Sequence, residues 1–87
     1  MGIEYMLSIP PANRPTVRAV LARELPALLL RVDPRASEDF PNVFATIVEE
    51  GVLLCDNLSD ESVAAQVIRE LIDLLLLHSE SVSVTAP

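Results

Sequence analysis

Cys55 and His78 are the only cysteine and the only histidine in the chain, so they are the first candidates for nucleophilic chemistry. A thiol becomes a catalytic nucleophile when an imidazole lies within hydrogen-bonding reach of it. On a helical projection Cys55 falls among apolar residues, where cysteine acts as a small hydrophobic side chain and no basic group is placed to activate it. His78 lies at the C-terminus of a predicted helix, where an imidazolium interacts favourably with the helix dipole. The sequence therefore favours structural roles for both residues and predicts a protein that is not an enzyme.

Motifs for metals and phosphates are also missing from the sequence. It has no Cys-x-x-Cys, no pair of histidines and no Asp-x-Asp loop, and its two glycines cannot form a phosphate-binding loop. The adjacent carboxylates Glu49 and Glu50 fit a polar helix face, and Asp60 and Glu61 fit a helix N-terminus, where negative charge is favourable. We therefore expect no catalytic residue, no metal site and no cofactor.

The charge distribution limits the kind of partner. A formal net charge of −7 disfavours nonspecific binding to nucleic acid or to an anionic membrane surface. Residues 14–35 hold five arginines against two acids, whereas residues 36–87 hold one arginine against ten acids. The basic part of one copy could face the acidic part of another, or the acidic part could face a basic partner. An acidic surface that only keeps the protein in solution is the third interpretation.

Cysteine usage, the first residues and the codon-related composition bear on location and source. One cysteine cannot form an internal disulfide, and residues 1–11 lack the charged start and long apolar stretch of a signal peptide. No run reaches the roughly 18 apolar residues of a membrane span. We therefore expect a cytoplasmic protein. The absence of lysine is consistent with the codon usage of a GC-rich bacterium.

The clearest helix signal runs from Ser59 to His78, a stretch without glycine or proline. At 100° per residue its polar side chains form a narrow stripe and apolar residues fill most of the remaining surface, which indicates packing on two sides. Leu77 falls on the polar stripe, where a single packing partner would not require it. The whole chain is 51% hydrophobic and 3% aromatic, a composition typical of packed helices. This is more apolar surface than a domain of 87 residues readily buries alone, which favours self-association.

The preceding residues give further helix signals. Asn13 can cap a helix with Pro15 in its first turn, and Pro26 predicts a kink or a new short helix that ends near Val32. Residues 33–37 are typical of a turn, with Asp33 or Ser37 available as a cap.

A further helix is predicted from about Asp39 to Asn57. It places Leu53 on its polar face, and it places Gly51 on its apolar face, where glycine allows close backbone approach. Alternatively the helix ends at Gly51 and residues 52–55 form a short buried strand. A shift of twenty residues aligns this helix with the last one, although coincidence between amphipathic helices explains the match nearly as well.

These signals predict an all-α fold: a small bundle of three to four helices in a single domain over residues 1–87, with the last two helices forming an antiparallel hairpin. Residues 1–12 and 79–87 are expected to be tails or short terminal β-strands, because residues 3–9 and 81–85 alternate apolar and polar side chains. The two ends could then pair with each other.

The predicted function is that of a non-enzymatic protein–protein interaction module: a small acidic regulator, adaptor, inhibitor or dedicated chaperone that acts as a homodimer through an interface including the last helix. The alternative is a carrier or sensor of an apolar small ligand held between helices. The predicted partner-binding residues are Leu53, Val67, Leu71, Leu74, Leu76 and Leu77.

Overall fold

The computed structural model describes residues 2–86, in which four strands and two α-helices are formed. In chain order these are β1 (Ile3–Ser8), α1 (Arg14–Val32), β2 (Val43–Val48), β3 (Gly51–Asp56), α2 (Glu61–His78) and β4 (Ser83–Thr85), with a 3-10 turn at Pro11–Asn13 before α1. The strands form one antiparallel sheet in the order β2-β3-β1-β4. The βαββαβ succession is that of the ferredoxin-like, or split βαβ, arrangement. The predicted all-α bundle is therefore wrong, and the fold is α+β.

The main correction concerns residues 39–57, where the predicted helix is replaced by the β2–β3 hairpin. Val48 pairs with Gly51 across a two-residue turn, and the register continues to Val43 opposite Asp56. Four of the six residues of β2 are β-branched, which restricts their side chains in a helix and favours a strand. Gly51 has a φ angle of 152°, which no helix accommodates. The predicted antiparallel pair of C-terminal helices is therefore wrong, and the twenty-residue match is a coincidence. The alternative strand at residues 52–55 falls within β3.

Helix α1 is continuous where two helices or a kinked helix were expected. It begins after Asn13 and passes through Pro26 to Val32. A proline inside a helix costs about 3 kcal/mol. The helix buries five apolar side chains, each of which contributes about 1.5–3 kcal/mol, so packing outweighs the local defect. The turn predicted at residues 33–37 is confirmed.

Helix α2 forms close to its predicted bounds, from Glu61 to His78. Its N-terminus is capped by Asp60, whose carboxylate accepts hydrogen bonds from the backbone N–H groups of Ser62 and Val63. These two hydrogen bonds and one from the Ser62 hydroxyl lower the pKa of Asp60. Asp60 therefore has a structural role at the helix N-terminus.

Both ends of the described chain form strands. Leu7 of β1 lies opposite Val84 of β4, and the other side of β1 pairs with β3. Strand β1 is thus an interior strand of the sheet, whereas β2 and β4 are its edges.

The core lies between the sheet and the two helices, which cover the same face. Alternation along the strands directs Leu7, Val52 and Leu54 into this core, where they meet buried residues of both helices. The α2 residues Val67, Leu71 and Leu75 are completely or almost completely buried there. No helix among residues 2–86 covers the opposite face of the sheet.

Candidate functional site

The uncovered side of the sheet, called here the outer face, has an apolar centre. Strand alternation and the pairing register place five apolar or sulfur-containing side chains on it: Met6, Phe44, Val48, Leu53 and Cys55. Leu53 lies between Met6 on one neighbouring strand and Thr46 on the other. Phe44 remains 47% exposed, and the other four are half-buried. Serine and threonine side chains complete the face, and Glu4 is its only charged residue within the described strands.

The six predicted partner-binding residues do not form one surface. Leu53 lies on the outer face, whereas the other five belong to α2 on the helix side of the sheet. Val67 and Leu71 are fully buried in the core and present no surface to a partner in this fold. Leu74 is half-buried, and Leu76 and Leu77 are exposed.

Leu74 and Leu77 line a groove between α1 and α2, called here the helix groove. Its volume is about 470 Å³, and Leu28 and Ala27 of α1 complete its apolar part. Charged side chains surround it: Arg23, Glu24, Arg31, Glu70 and Asp73. The helix groove therefore joins apolar and charged surface, with both signs of charge at its rim.

One ion pair bridges the two helices at this groove. Arg31 of α1 binds the Glu70 carboxylate of α2, and the Gln66 amide donates to the same carboxylate at 2.8 Å. The hydrogen bond from Gln66 and the adjacent Arg31 guanidinium lower the pKa of Glu70. Because these groups are solvated, the pair orients the side chains and contributes little to stability.

A second groove, called here the edge groove, lies between α1 and the edge strand β2. Its volume is about 510 Å³. Leu21, Leu25, Leu29 and Leu30 contribute from α1, and Ala45 and Ile47 from β2. Leu30 is 63% exposed there. Sequence reasoning missed this groove, because its two walls are brought together only by a sheet, and the sequence pattern predicted helices there.

Asp33 is the best-connected polar side chain in the described structure, and it joins α1 to β2. Its buried carboxylate accepts hydrogen bonds from the backbone N–H groups of Arg35 (2.9 Å), Asn42 (2.9 Å) and Val43 (3.2 Å), and from the Asn42 side chain (2.8 Å). Burial raises the pKa of Asp33, but these hydrogen bonds together outweigh it and lower the pKa below the ordinary value. The carboxylate therefore fixes the first residues of β2 in place.

Asn57 continues this polar network from β3. Its backbone N–H donates to the Asn42 carbonyl at 3.0 Å, and its side-chain amide donates to the Pro41 carbonyl at 2.7 Å. The loop before β2 is thus held from both α1 and β3, so the sheet edge is a defined surface.

The structure does not bring Cys55 and His78 together. Cys55 belongs to the outer face, where its Sγ lies 3.6 Å from the Asn57 side-chain oxygen. His78 ends α2 on the helix side of the sheet. Within residues 2–86 no three histidine, cysteine or acidic side chains converge as metal ligands. Neither helix of that range is both long and apolar enough to cross a bilayer.

Comparisons with protein-family models, with curated proteins and with solved structures found no match to this chain. The fold and its surfaces define an α+β domain with an open-faced antiparallel sheet.

Proposed function

We propose that this chain is a non-enzymatic protein–protein interaction module that acts as a homodimer, in the class of small acidic regulators, adaptors, inhibitors or dedicated chaperones. The observation that carries the proposal is the outer face, with Leu53 near its centre and Phe44 exposed beside it. A sheet face that contacts only water normally carries polar side chains. An apolar outer face is therefore unusual unless a binding partner covers it. We also propose a cytoplasmic location, because the single cysteine cannot form an internal disulfide and residues 1–11 do not resemble a signal peptide.

The size of the outer face indicates the kind of complex it would form. Strands about 4.8 Å apart that rise about 3.3 Å per residue give a four-stranded face of roughly 400 Å². A stable interface buries about 800 Å² on each partner. The outer face alone is therefore suited to a reversible contact, as made by a regulator or adaptor, and a permanent dimer requires additional surface.

Charge favours a partner with an apolar or basic contact region. The outer face has one carboxylate near its rim, and the chain as a whole carries a net charge of −7. At the outer face, a basic rim around an apolar patch of a partner protein would be attracted.

Site-specific photocrosslinking tests the proposal. A benzophenone amino acid at Leu53 should capture one discrete partner protein in cells of the source organism. The same group at Arg69, which is exposed on α2, is the matched control and should not. Light scattering across a dilution series should give twice the 9.5 kDa mass of the chain. The same adducts from both positions, or no adduct from Leu53 together with a monomeric mass, would contradict the proposal.

A carrier or sensor of an apolar small ligand is the second candidate, and the edge groove is the observation that favours it. Its volume of about 510 Å³ lies in the range of small-molecule sites, and its walls are almost entirely apolar. The ligand would bind between α1 and β2 and not between two helices. Native mass spectrometry of freshly purified protein tests this: a retained small molecule whose binding is lost in Leu29→Glu supports it, and bare protein mass opposes it.

A further inference from the structure

The two edges of the sheet differ in how well they are protected. Strand β4 is a short edge of three residues. Strand β2 is an edge of six residues, Val-Phe-Ala-Thr-Ile-Val, without a charge or a proline. Natural proteins protect edge strands with charges, prolines, bulges or short length, because exposed backbone N–H and C=O groups pair with other strands. Strand β2 has none of these devices, so it is suited to pairing.

Two observed hydrogen bonds fix which backbone groups of β2 point outward. The Asn42 carbonyl faces β3, since it accepts from the Asn57 N–H at 3.0 Å. The Val43 N–H faces away from β3, since it donates to Asp33 at 3.2 Å. Hydrogen-bonding direction alternates along an antiparallel strand. Further along β2, the N–H and C=O groups that point away from β3, toward the open edge of the sheet, are therefore those of Ala45 and Ile47. They are called here the outward groups, and they are distinct from the side chains of the outer face.

We propose that β2 pairs in antiparallel orientation with β2 of a second copy, with Thr46 opposite Thr46 on the two-fold axis. This proposal rests on the homodimer of the proposed function and specifies its interface. In this register Ala45 of each copy lies opposite Ile47 of the other, and all the outward groups of both residues form hydrogen bonds. The two sheets join into one continuous sheet of eight strands.

The side chains of β2 are complementary to themselves in this register. On the outer face Phe44 lies opposite Val48 of the second copy, and Thr46 lies opposite Thr46. Aromatic with β-branched pairs and threonine pairs are both favourable across antiparallel strands, at about 0.2–1 kcal/mol each. The register with Ala45 opposite Ala45 would use the Val43 N–H, which is already bonded to Asp33. The register with Ile47 opposite Ile47 would pair Ala45 with Glu49, which lies beyond the end of β2.

The strands that meet in this arrangement are uncharged, whereas the segments beside them are acidic. Glu49 and Glu50 follow β2, so they come to lie beside the residues that precede β2 in the second copy. The loop at that end carries Arg35 together with Glu38 and Asp39, and Arg35 is paired with Glu38. Charge therefore opposes the contact, and the backbone hydrogen bonds and apolar area of the interface have to outweigh it.

The edge groove adds apolar area to the same contact. It opens beside β2, so pairing brings the α1 helices of both copies together on the helix side of the joined sheet. The exposed Leu30 then becomes covered, together with Pro26 and Ala22. This supplies apolar area that the outer face does not, and it leaves the outer face free for another partner.

Disulfide trapping tests the register. Thr46→Cys in a Cys55→Ser background should form a disulfide-linked dimer under mild oxidation, because facing residues of such a pair lie within disulfide range. Val48→Cys in the same background is the matched control on the same strand and face. In the proposed register the two copies of residue 48 are four positions apart, roughly 13 Å, which is beyond disulfide reach. We expect about tenfold more linked dimer for Thr46→Cys on a non-reducing gel.

A backbone substitution provides a second measurement. Ala45→Pro removes an outward N–H, and proline is tolerated on an edge strand where its nitrogen faces solvent. Ala45→Pro should keep its circular dichroism spectrum and fall to a mass of 9.5 kDa by light scattering. If Ala45→Pro does not fold, the trapping experiment still decides.

The outcomes separate the two proposals. A dimer in solution with no Thr46→Cys trapping, or with equal trapping at residue 48, overturns the β2 interface and leaves the homodimer standing. A monomer at every concentration overturns both the β2 interface and the homodimer, whereas a Leu53 adduct would still support an interaction module.

Discussion

Replacing Asp33 with asparagine preserves the size of a side chain that is 2% exposed and removes its charge. One carboxylate oxygen of Asp33 accepts the N–H groups of Asn42 and Val43, and the other accepts Arg35 N–H and the Asn42 amide. Asparagine retains one acceptor oxygen, whereas its amide nitrogen is a donor. If the asparagine oxygen takes the position that accepts from the Arg35 N–H, its side-chain nitrogen faces the backbone N–H groups of Asn42 and Val43. Those two N–H groups then have no acceptor.

The expected loss follows from those two donors. A buried donor without an acceptor costs about 1–3 kcal/mol, so Asp33→Asn should destabilise the fold by about 2–6 kcal/mol. At about 0.05–0.15 kcal/mol per residue, a domain of this size has a total stability of about 4–13 kcal/mol. The substitution therefore removes a large fraction of the stability and releases the start of β2.

The pH dependence has a definite sign. Burial raises the pKa of Asp33, and the hydrogen bonds to Arg35, Asn42 and Val43 lower it further than burial raises it, so the folded pKa lies below 3.8. The ionised carboxylate stabilises the fold fully above its unfolded pKa, and this contribution is lost as the pH falls through the lower folded pKa. Asp33→Asn lacks the titrating group, so its stability should fall less than that of the parent between about pH 5 and pH 2.

Urea unfolding followed by far-ultraviolet circular dichroism measures both effects. With a slope of about 1 kcal/mol per molar urea, a loss of about 3 kcal/mol moves the midpoint by about 3 M. Asp39→Asn is the control, because Asp39 is an exposed carboxylate in the same loop. A change below about 0.5 kcal/mol at neutral pH, or the same acid dependence as the parent, would refute the role of Asp33.

The same titration checks four further substitutions. Gly51→Ala should lose about 1–3 kcal/mol, because φ is 152° and a Cβ atom would collide with the Leu7 carbonyl; an unchanged midpoint would contradict the hairpin register. Leu71→Ala should lose about 2–5 kcal/mol because Leu71 is 0% exposed, whereas Leu76→Ala at the surface should lose less than about 0.5 kcal/mol; equal losses would mean that α2 is rotated. Leu77→Glu should change stability by less than about 0.5 kcal/mol because Leu77 is 77% exposed; a loss above about 1 kcal/mol would show that it packs within the domain.

The parts of the fold that could be predicted are those set by local signals. Helix α2 has an apolar period of 3.6 over 18 residues and an acidic cap, and the structure forms it within two residues of its predicted start. The turn after α1 follows from Asp33 and Pro34 in the same way. Helix periods, caps and turns depend on residues that are close in sequence, so they can be predicted from one sequence.

Residues 43–56 could not be assigned by the same reasoning, because an apolar run of this length fits a buried helix or two buried strands. Leu53 shows the consequence of this ambiguity. On a helix it lies among polar residues, which predicts a binding partner, whereas on β3 it belongs to a sheet face. The β-branched residues of β2 and the glycine after the Glu49–Glu50 pair were the signals that could have shown the hairpin.

The candidate surfaces depended on that assignment. The apolar centre of the outer face combines residues from three strands, and the edge groove combines α1 with β2, so neither exists until the sheet order is known. Leu74 and Leu77 could be identified from α2 alone, since surface leucines on a helix follow from its period. The predicted partner-binding set contains the core positions Val67 and Leu71, because the helical period alone does not show which apolar residues of α2 the sheet covers.

The position of β1 has a consequence for biosynthesis. Both neighbours of β1 in the sheet, β3 and β4, are synthesised after it, so β1 emerges from the ribosome without a partner. The β2–β3 hairpin closes through a two-residue turn and should form quickly, whereas pairing of β1 with β3 requires a long loop to close. Until then Leu7 and Ile9, which are buried in the finished fold, stay accessible beside an unprotected β2 edge. The nascent chain is therefore most prone to aggregation in this interval, and we expect its yield to depend on chaperones that hold β1 until β3 is available.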